Sequence, residues 1–94
     1  MHVEWTEAAL TDLEEHFDYV ACDGRRAATR IFTRVIDAVE MLARFPSMGR
    51  AGRFGDTREL YVKGTGYIVS YRVRESRVEI LRFLHSAQDW AQEL

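Results

Sequence analysis

The stretch Tyr67-Ile68-Val69-Ser70-Tyr71-Arg72-Val73 decides how this chain of 94 residues folds. It is dominated by β-branched and aromatic residues, which suit a pleated, half-buried surface. Side chains alternate across a strand, so Tyr67, Val69, Tyr71 and Val73 share one face while Ile68, Ser70 and Arg72 share the other. The same period of two runs through 59–63, before Gly64-Thr65-Gly66, and through 77–84, after Arg74-Glu75-Ser76. Links this short join consecutive strands as antiparallel hairpins. In the last stretch Val78, Ile80, Arg82 and Leu84 fall on one face and Glu79, Leu81, Phe83 and His85 on the other. Both faces carry apolar groups, and the inward side stays open.

Upstream of Pro46, the single proline, the period changes to that of a helix. Leu10, Leu13, Phe17 and Val20 step by three and four while Glu7, Glu14, Glu15 and Asp18 take the other side, which predicts an amphipathic helix over about 7–22. Thr6 is its expected N-cap. Asp23-Gly24 interrupts the pattern, and Ala28, Ile31, Phe32, Val35, Val39 and Leu42 predict a second helix over about 25–45. So short a turn makes the two an antiparallel hairpin. His2-Val3-Glu4-Trp5 alternates and reads as a short strand. The expected fold is α+β: an antiparallel sheet of the N-terminal strand and three C-terminal strands, packed on a two-helix hairpin, with the far face partly open and room for a short C-terminal helix carrying Asp89 and Trp90.

The length fits one domain over residues 1–94. Apolar residues make up 47% and charged residues 30%, which excludes a disordered chain, and no apolar run is long enough to span a bilayer. A cytoplasmic protein without membrane contact is expected. Cys22 is the lone cysteine, so an internal disulfide and a multi-cysteine zinc site are both ruled out. His2 and His16 lie among acids and read as surface or rim. With no clustered ligand spacing, neither a metal nor another cofactor is expected.

The net charge of −2 conceals a division. Residues 1–23 hold seven acids and no base; the remainder holds thirteen bases, twelve of them arginine, against eight acids. Arginine's planar fork grips phosphate or carboxylate in two places, which makes an anionic partner plausible. Three arginines, Arg50, Arg53 and Arg58, lie in the connection 46–58 with Gly49, Gly52 and Gly55. Glycines permit unusual backbone angles, so the segment could cradle phosphate; alternatively its arginines pair Asp56 and Glu59 in a solvated turn. Arg26, Arg30 and Arg34 form an i, i+4 ladder on the second helix, suited to acids of the first helix or to an acidic partner protein.

The order of several short pieces resembles one known family over nearly the whole chain. They are Trp5-Thr6 ahead of Ala9 and Asp12-Leu13; Ala27-Ala28; Phe45-Pro46-x-x-Gly49-Arg50-x-Gly52-Arg53; Thr57-Arg58-Glu59-Leu60; Tyr67-Ile68-Val69-x-Tyr71-Arg72-Val73; and Val78-x-Ile80-Leu81-Arg82-x-Leu84-His85-x-x-Gln88-x-Trp90. This succession looks like the RelE/ParE superfamily of bacterial type II toxin-antitoxin toxins. The resemblance implies a helical hairpin on an antiparallel sheet and a growth-arresting toxin neutralised by a cognate antitoxin, for which Arg26, Arg30 and Arg34 are the expected contact. It leaves two targets: mRNA cut on the ribosome, as RelE-like members do, or DNA gyrase inhibited by binding, as ParE-like members do.

Ribosome-dependent mRNA cleavage is the favoured expectation, and metal-independent cleavage sets its own chemical requirements. A 2′-hydroxyl must be activated, phosphorane charge stabilised and the leaving oxygen protonated. His85, at a predicted strand end, is the expected acid or base; its alternative is an imidazole bonded to backbone. Arg82 and Arg58, at or within strands, would stabilise transition-state charge. Arg50, Arg53, Lys63 and Arg72 would bind phosphates, with Tyr61 beside Lys63 as a further assistant.

Overall fold

The computed structural model describes residues 1–87, so the expected C-terminal helix, with Asp89 and Trp90, lies outside the described residues. Its elements are β1 (His2–Trp5), α1 (Glu7–Ala21), α2 (Arg25–Met41), β2 (Arg50–Ala51), β3 (Arg58–Val62), β4 (Tyr67–Arg74) and β5 (Arg77–His85). The helices pair as a hairpin against one five-stranded sheet of order β1-β5-β4-β3-β2.

The expected α+β architecture is present, with one correction: the sheet is mixed. β1 runs parallel to β5, with His2 opposite Arg77 and Trp5 opposite Ile80. Thr6 anchors the end of this pairing. Its backbone N–H donates to the Ile80 carbonyl at 3.0 Å, its Oγ1 donates to the Leu81 carbonyl at 3.1 Å, and that same Oγ1 caps α1 by accepting from Ala9 N at 3.1 Å. These bonds hold the end of β1 beside the middle of β5, and the ascending register from Arg77 to Ile80 makes the pair parallel.

α2 stops at Met41, short of the expected end. Leu42, Ala43 and Arg44 continue only as tight i to i+3 turns, because the proline ring at 46 disfavours helical backbone at Phe45. α1 also turns a slightly different face inward. Ala9 and Asp12 are its buried residues, while Leu10, expected inside, is 44% exposed.

A bulge settles the inward side of β5. Ser70 pairs with Arg82 but Tyr71 with Ile80, leaving Leu81 as the extra residue. Val78 and Ile80 therefore face the helices before the bulge, and Phe83 and His85 after it. Phe83 joins Tyr71, Val69, Ile80, Phe32, Val35, Val39 and Leu42 in the core. On the far face Ile68 and Leu84 form a second buried pair and Ser70 is 1% exposed, so that face is less open than expected.

Candidate functional site

The connection 46–58 is built around its own carboxylate. Glu59 is 4% exposed, accepts from the Arg50 guanidinium at 3.4 Å and the Arg53 backbone N–H at 3.3 Å, and forms an ion pair with Arg53 Nε at 3.3 Å. Part of the expected loop is strand: β2 pairs antiparallel with β3, Arg50 opposite Glu59. Gly49 has an ordinary backbone conformation, and its role is close approach; a Cβ there would lie 2.6 Å from Tyr71 Oη and 2.9 Å from the Glu59 carbonyl. The Tyr71 hydroxyl bridges this junction, accepting from Gly49 N at 2.9 Å and donating to the Pro46 carbonyl at 2.8 Å. Burial pushes the Tyr71 phenol above its ordinary range, partly opposed by the Gly49 hydrogen bond and the Arg58 charge. Arg58 donates to the Gly49 carbonyl at 2.8 Å and more distantly to that of Ser47.

The other strand arginines are likewise engaged. Arg72 Nε donates to Glu79 Oε1 at 2.7 Å, and this hydrogen bond holds the Glu79 carboxyl below its usual range. Arg82 reaches across the β5 edge to α1, donating through Nε to Asp12 Oδ2 at 2.6 Å and through a terminal nitrogen to Oδ1 at 2.9 Å. Phe83 N–H donates to the same Oδ2 at 3.0 Å. β1 covers only 77–80 of β5, so Asp12 satisfies an edge donor that no strand reaches.

His85 stands edge-on to Tyr67 with ring centroids 5.2 Å apart. Ala87 N–H donates to its Nδ1 at 3.2 Å, so a neutral imidazole carries its proton on Nε2. His16 approaches the same Tyr67 ring at 5.3 Å and Phe83 at 5.6 Å. His16, expected at the surface or a rim, is half-buried, and with Glu15, Tyr19, Tyr67 and His85 it lines a concavity of about 520 Å³. Its spacing of three from Leu13 and four from Asp12 was the available signal. Burial pushes the Tyr67 phenol above its ordinary range.

The expected catalytic residues do not converge. Arg58 is opposite Tyr71 and His85 opposite Tyr67, four residues apart on β4, which is about 13 Å along the strands in addition to two inter-strand spacings. Arg50, Arg53 and Arg72 gather on carboxylates of the face away from the helices, and Lys63 is exposed at the end of β3. Arg26, Arg30 and Arg34 are exposed on α2. Among the described residues no group of three or more His, Cys, Asp or Glu is placed to hold a metal, and no helix is long and apolar enough to cross a membrane.

Residues 3–90 match the family model of the ParE toxin of type II toxin-antitoxin system, parDE. The chain is 41% identical over 92 residues to "Putative toxin Y4kP" of Sinorhizobium fredii, covering 98% of this chain and 95% of that protein. It is 36% identical over 86 residues to toxin RelE2 of Caulobacter vibrioides, covering 92% and 96% respectively. Among solved structures, a chain of the chromosomal ParDE TA system from P. aeruginosa superposes with a TM-score of 0.82 at 23% identity, over 90% of this chain and 95% of that one. A chain of the intact E. coli RelBE toxin-antitoxin complex gives 0.60 at 12%, over 93% and 98%. These two structural likenesses speak for the fold.

Proposed function

We propose, starting from the fact that this chain belongs to the ParE toxin family of type II toxin-antitoxin systems, that it arrests growth by binding DNA gyrase and is held inactive by a cognate antitoxin. The observation that carries the binding mode is the dispersal of the groups RNA cleavage would need. Arg58 and His85 stand at opposite ends of the strands, and Arg82 is committed to Asp12. Transition-state stabilisation needs donors already aimed at one developing charge, and these arginines are aimed elsewhere. A protein-binding mode needs exposed apolar surface instead. Phe45, Pro46 and Met48 surround a concavity of about 600 Å³, with Phe45 50% and Met48 45% exposed.

Pulse-labelling after induction tests the target. DNA synthesis should fall first, with trapped gyrase cleavage complexes, while protein synthesis continues. An early stop in protein synthesis with cut transcripts would overturn it. One observation favours a second reading, ribosome-dependent mRNA cleavage: His16 and His85 flank the same Tyr67 ring in one concavity, as an acid and a base would.

A further inference from the structure

Seven of the thirteen basic residues have polar partners in the fold, and among the other six three stand in register on one helix. Arg50, Arg53, Arg72, Arg74, Arg77 and Arg82 each pair with a carboxylate, and Arg58 donates to backbone carbonyls. Arg26, Arg30 and Arg34 have no ion pair or hydrogen bond among the described residues, although α1 carries most of the acids of the N-terminal segment. The helical rise sets these three about 6 Å apart along the axis, in a row that winds about 40° round the helix at each step, a spacing comparable with that of successive phosphates along a nucleic acid strand. The β3–β4 turn holds the row at one end. Gly64 has φ +79°, and a Cβ there would come within 2.7 Å of Arg34 Nη1, so the guanidinium rests against bare backbone. Arg30, Ile31, Arg34, Gly64 and Thr65 line a groove of about 280 Å³.

Two absences select the ligand. A bound peptide needs apolar anchors as well as charge, and the groove offers only half-buried Ile31; Met1, Leu10, Tyr19, Met41, Phe45, Met48, Phe54, Tyr61 and Val73, the exposed large apolar residues among those described, do not line it. Single-stranded nucleic acid is gripped by stacking bases on aromatic rings, and the groove contains none. A regular row of forks without anchors or stacking platforms suits a regular row of phosphates. We propose that the Arg26–Arg30–Arg34 ladder, braced on the Gly64 turn, binds the phosphodiester backbone of duplex DNA without reading its sequence. This goes beyond the gyrase reading and does not require it, because the test contains no gyrase.

Fluorescence anisotropy of the purified chain with a labelled duplex of arbitrary sequence, over a salt series, tests the inference. Three phosphate contacts give a slope of log affinity against log salt of about −2.7, or a roughly 40-fold loss on raising salt fourfold. Arg26→Gln, Arg30→Gln and Arg34→Gln should each reduce the slope by about 0.9, while the corresponding lysine variants keep it. Arg74→Gln, outside the groove, should leave it unchanged. Circular dichroism confirms that each variant folds. An unchanged slope in the triple glutamine variant would overturn the proposal, and so would equal or tighter binding of single-stranded RNA of the same length. Loss of the antitoxin in gel filtration by that variant, with duplex binding intact, would assign the ladder to an acidic protein instead.

Discussion

Asp12 and Arg82, 70 residues apart in sequence, form the 2.6 Å ion pair that ties α1 to the strand it borders. Their side chains are only 11% and 20% exposed, and Asp12 also takes the Phe83 backbone N–H. Asp12→Ala strands a guanidinium and an edge donor together, and should destabilise the fold by about 3 kcal/mol. Urea unfolding measures it; a loss under ~0.5 kcal/mol would place the pair with exposed surface ion pairs. Arg82→Ala is for the same reason a poor probe of catalysis, since it should lose fold stability along with any activity.

Tyr71→Phe keeps the ring and removes only the hydroxyl that joins Pro46 to Gly49. The buried Gly49 N–H and the part-buried Pro46 carbonyl lose their partner, for an expected cost of about 1–3 kcal/mol in thermal or urea unfolding. The alkaline limb should change too. Burial raises the Tyr71 phenol pKa in the folded state, so its contribution is complete below the unfolded-chain value and is lost as pH rises through the folded one. A variant with the same alkaline limb as the parent would count against this.

Glu79 titrates with the opposite sign. The Arg72 hydrogen bond lowers its pKa in the folded state, so its contribution is present above the unfolded-chain value and disappears as pH falls through the folded one. Glu79→Gln should flatten the acid limb of stability, followed by unfolding midpoints across the carboxylate range. An acid limb as steep as the parent's would mean that other carboxylates dominate it.

His85→Gln separates the two targets. Under the binding mode the folded variant should stop growth as the parent does. Under mRNA cleavage, losing a proton-transfer group should cost roughly a hundredfold to ten-thousandfold in transcript cutting. Induced growth curves and primer extension on the same cultures distinguish these outcomes, and co-purification with the antitoxin verifies that the variant is folded.

The periods of two and 3.6 were enough to place both helices and β3, β4 and β5, because those elements bury continuous stripes such as Val35, Val39 and Leu42. What lay outside periodicity was contact. Nothing in alternation announces that Leu81 is extra, so the inward face of β5 stayed open until its partners were known. β2 is only two residues and was hidden among arginines and glycines. Asp12 and His16 sit in an acidic helix where neighbours suggest solvent, yet the β5 edge and the Tyr67 ring draw them inward. Glu59 was legible as the alternative partner of Arg50 and Arg53, whereas Glu79 and Asp12, the partners of Arg72 and Arg82, lie on other elements that no local pattern brings near.

The parallel pairing of β1 bears on how the protein is made. Residues 2–5 are synthesised well before residues 77–80, their hydrogen-bonding partners, and the Thr6 tether to Leu81 spans 75 residues. The α-hairpin can form on its own local contacts; the sheet cannot close until its fifth strand has been synthesised. During translation the chain therefore carries an unpaired first strand and an incomplete core until β5 has been made.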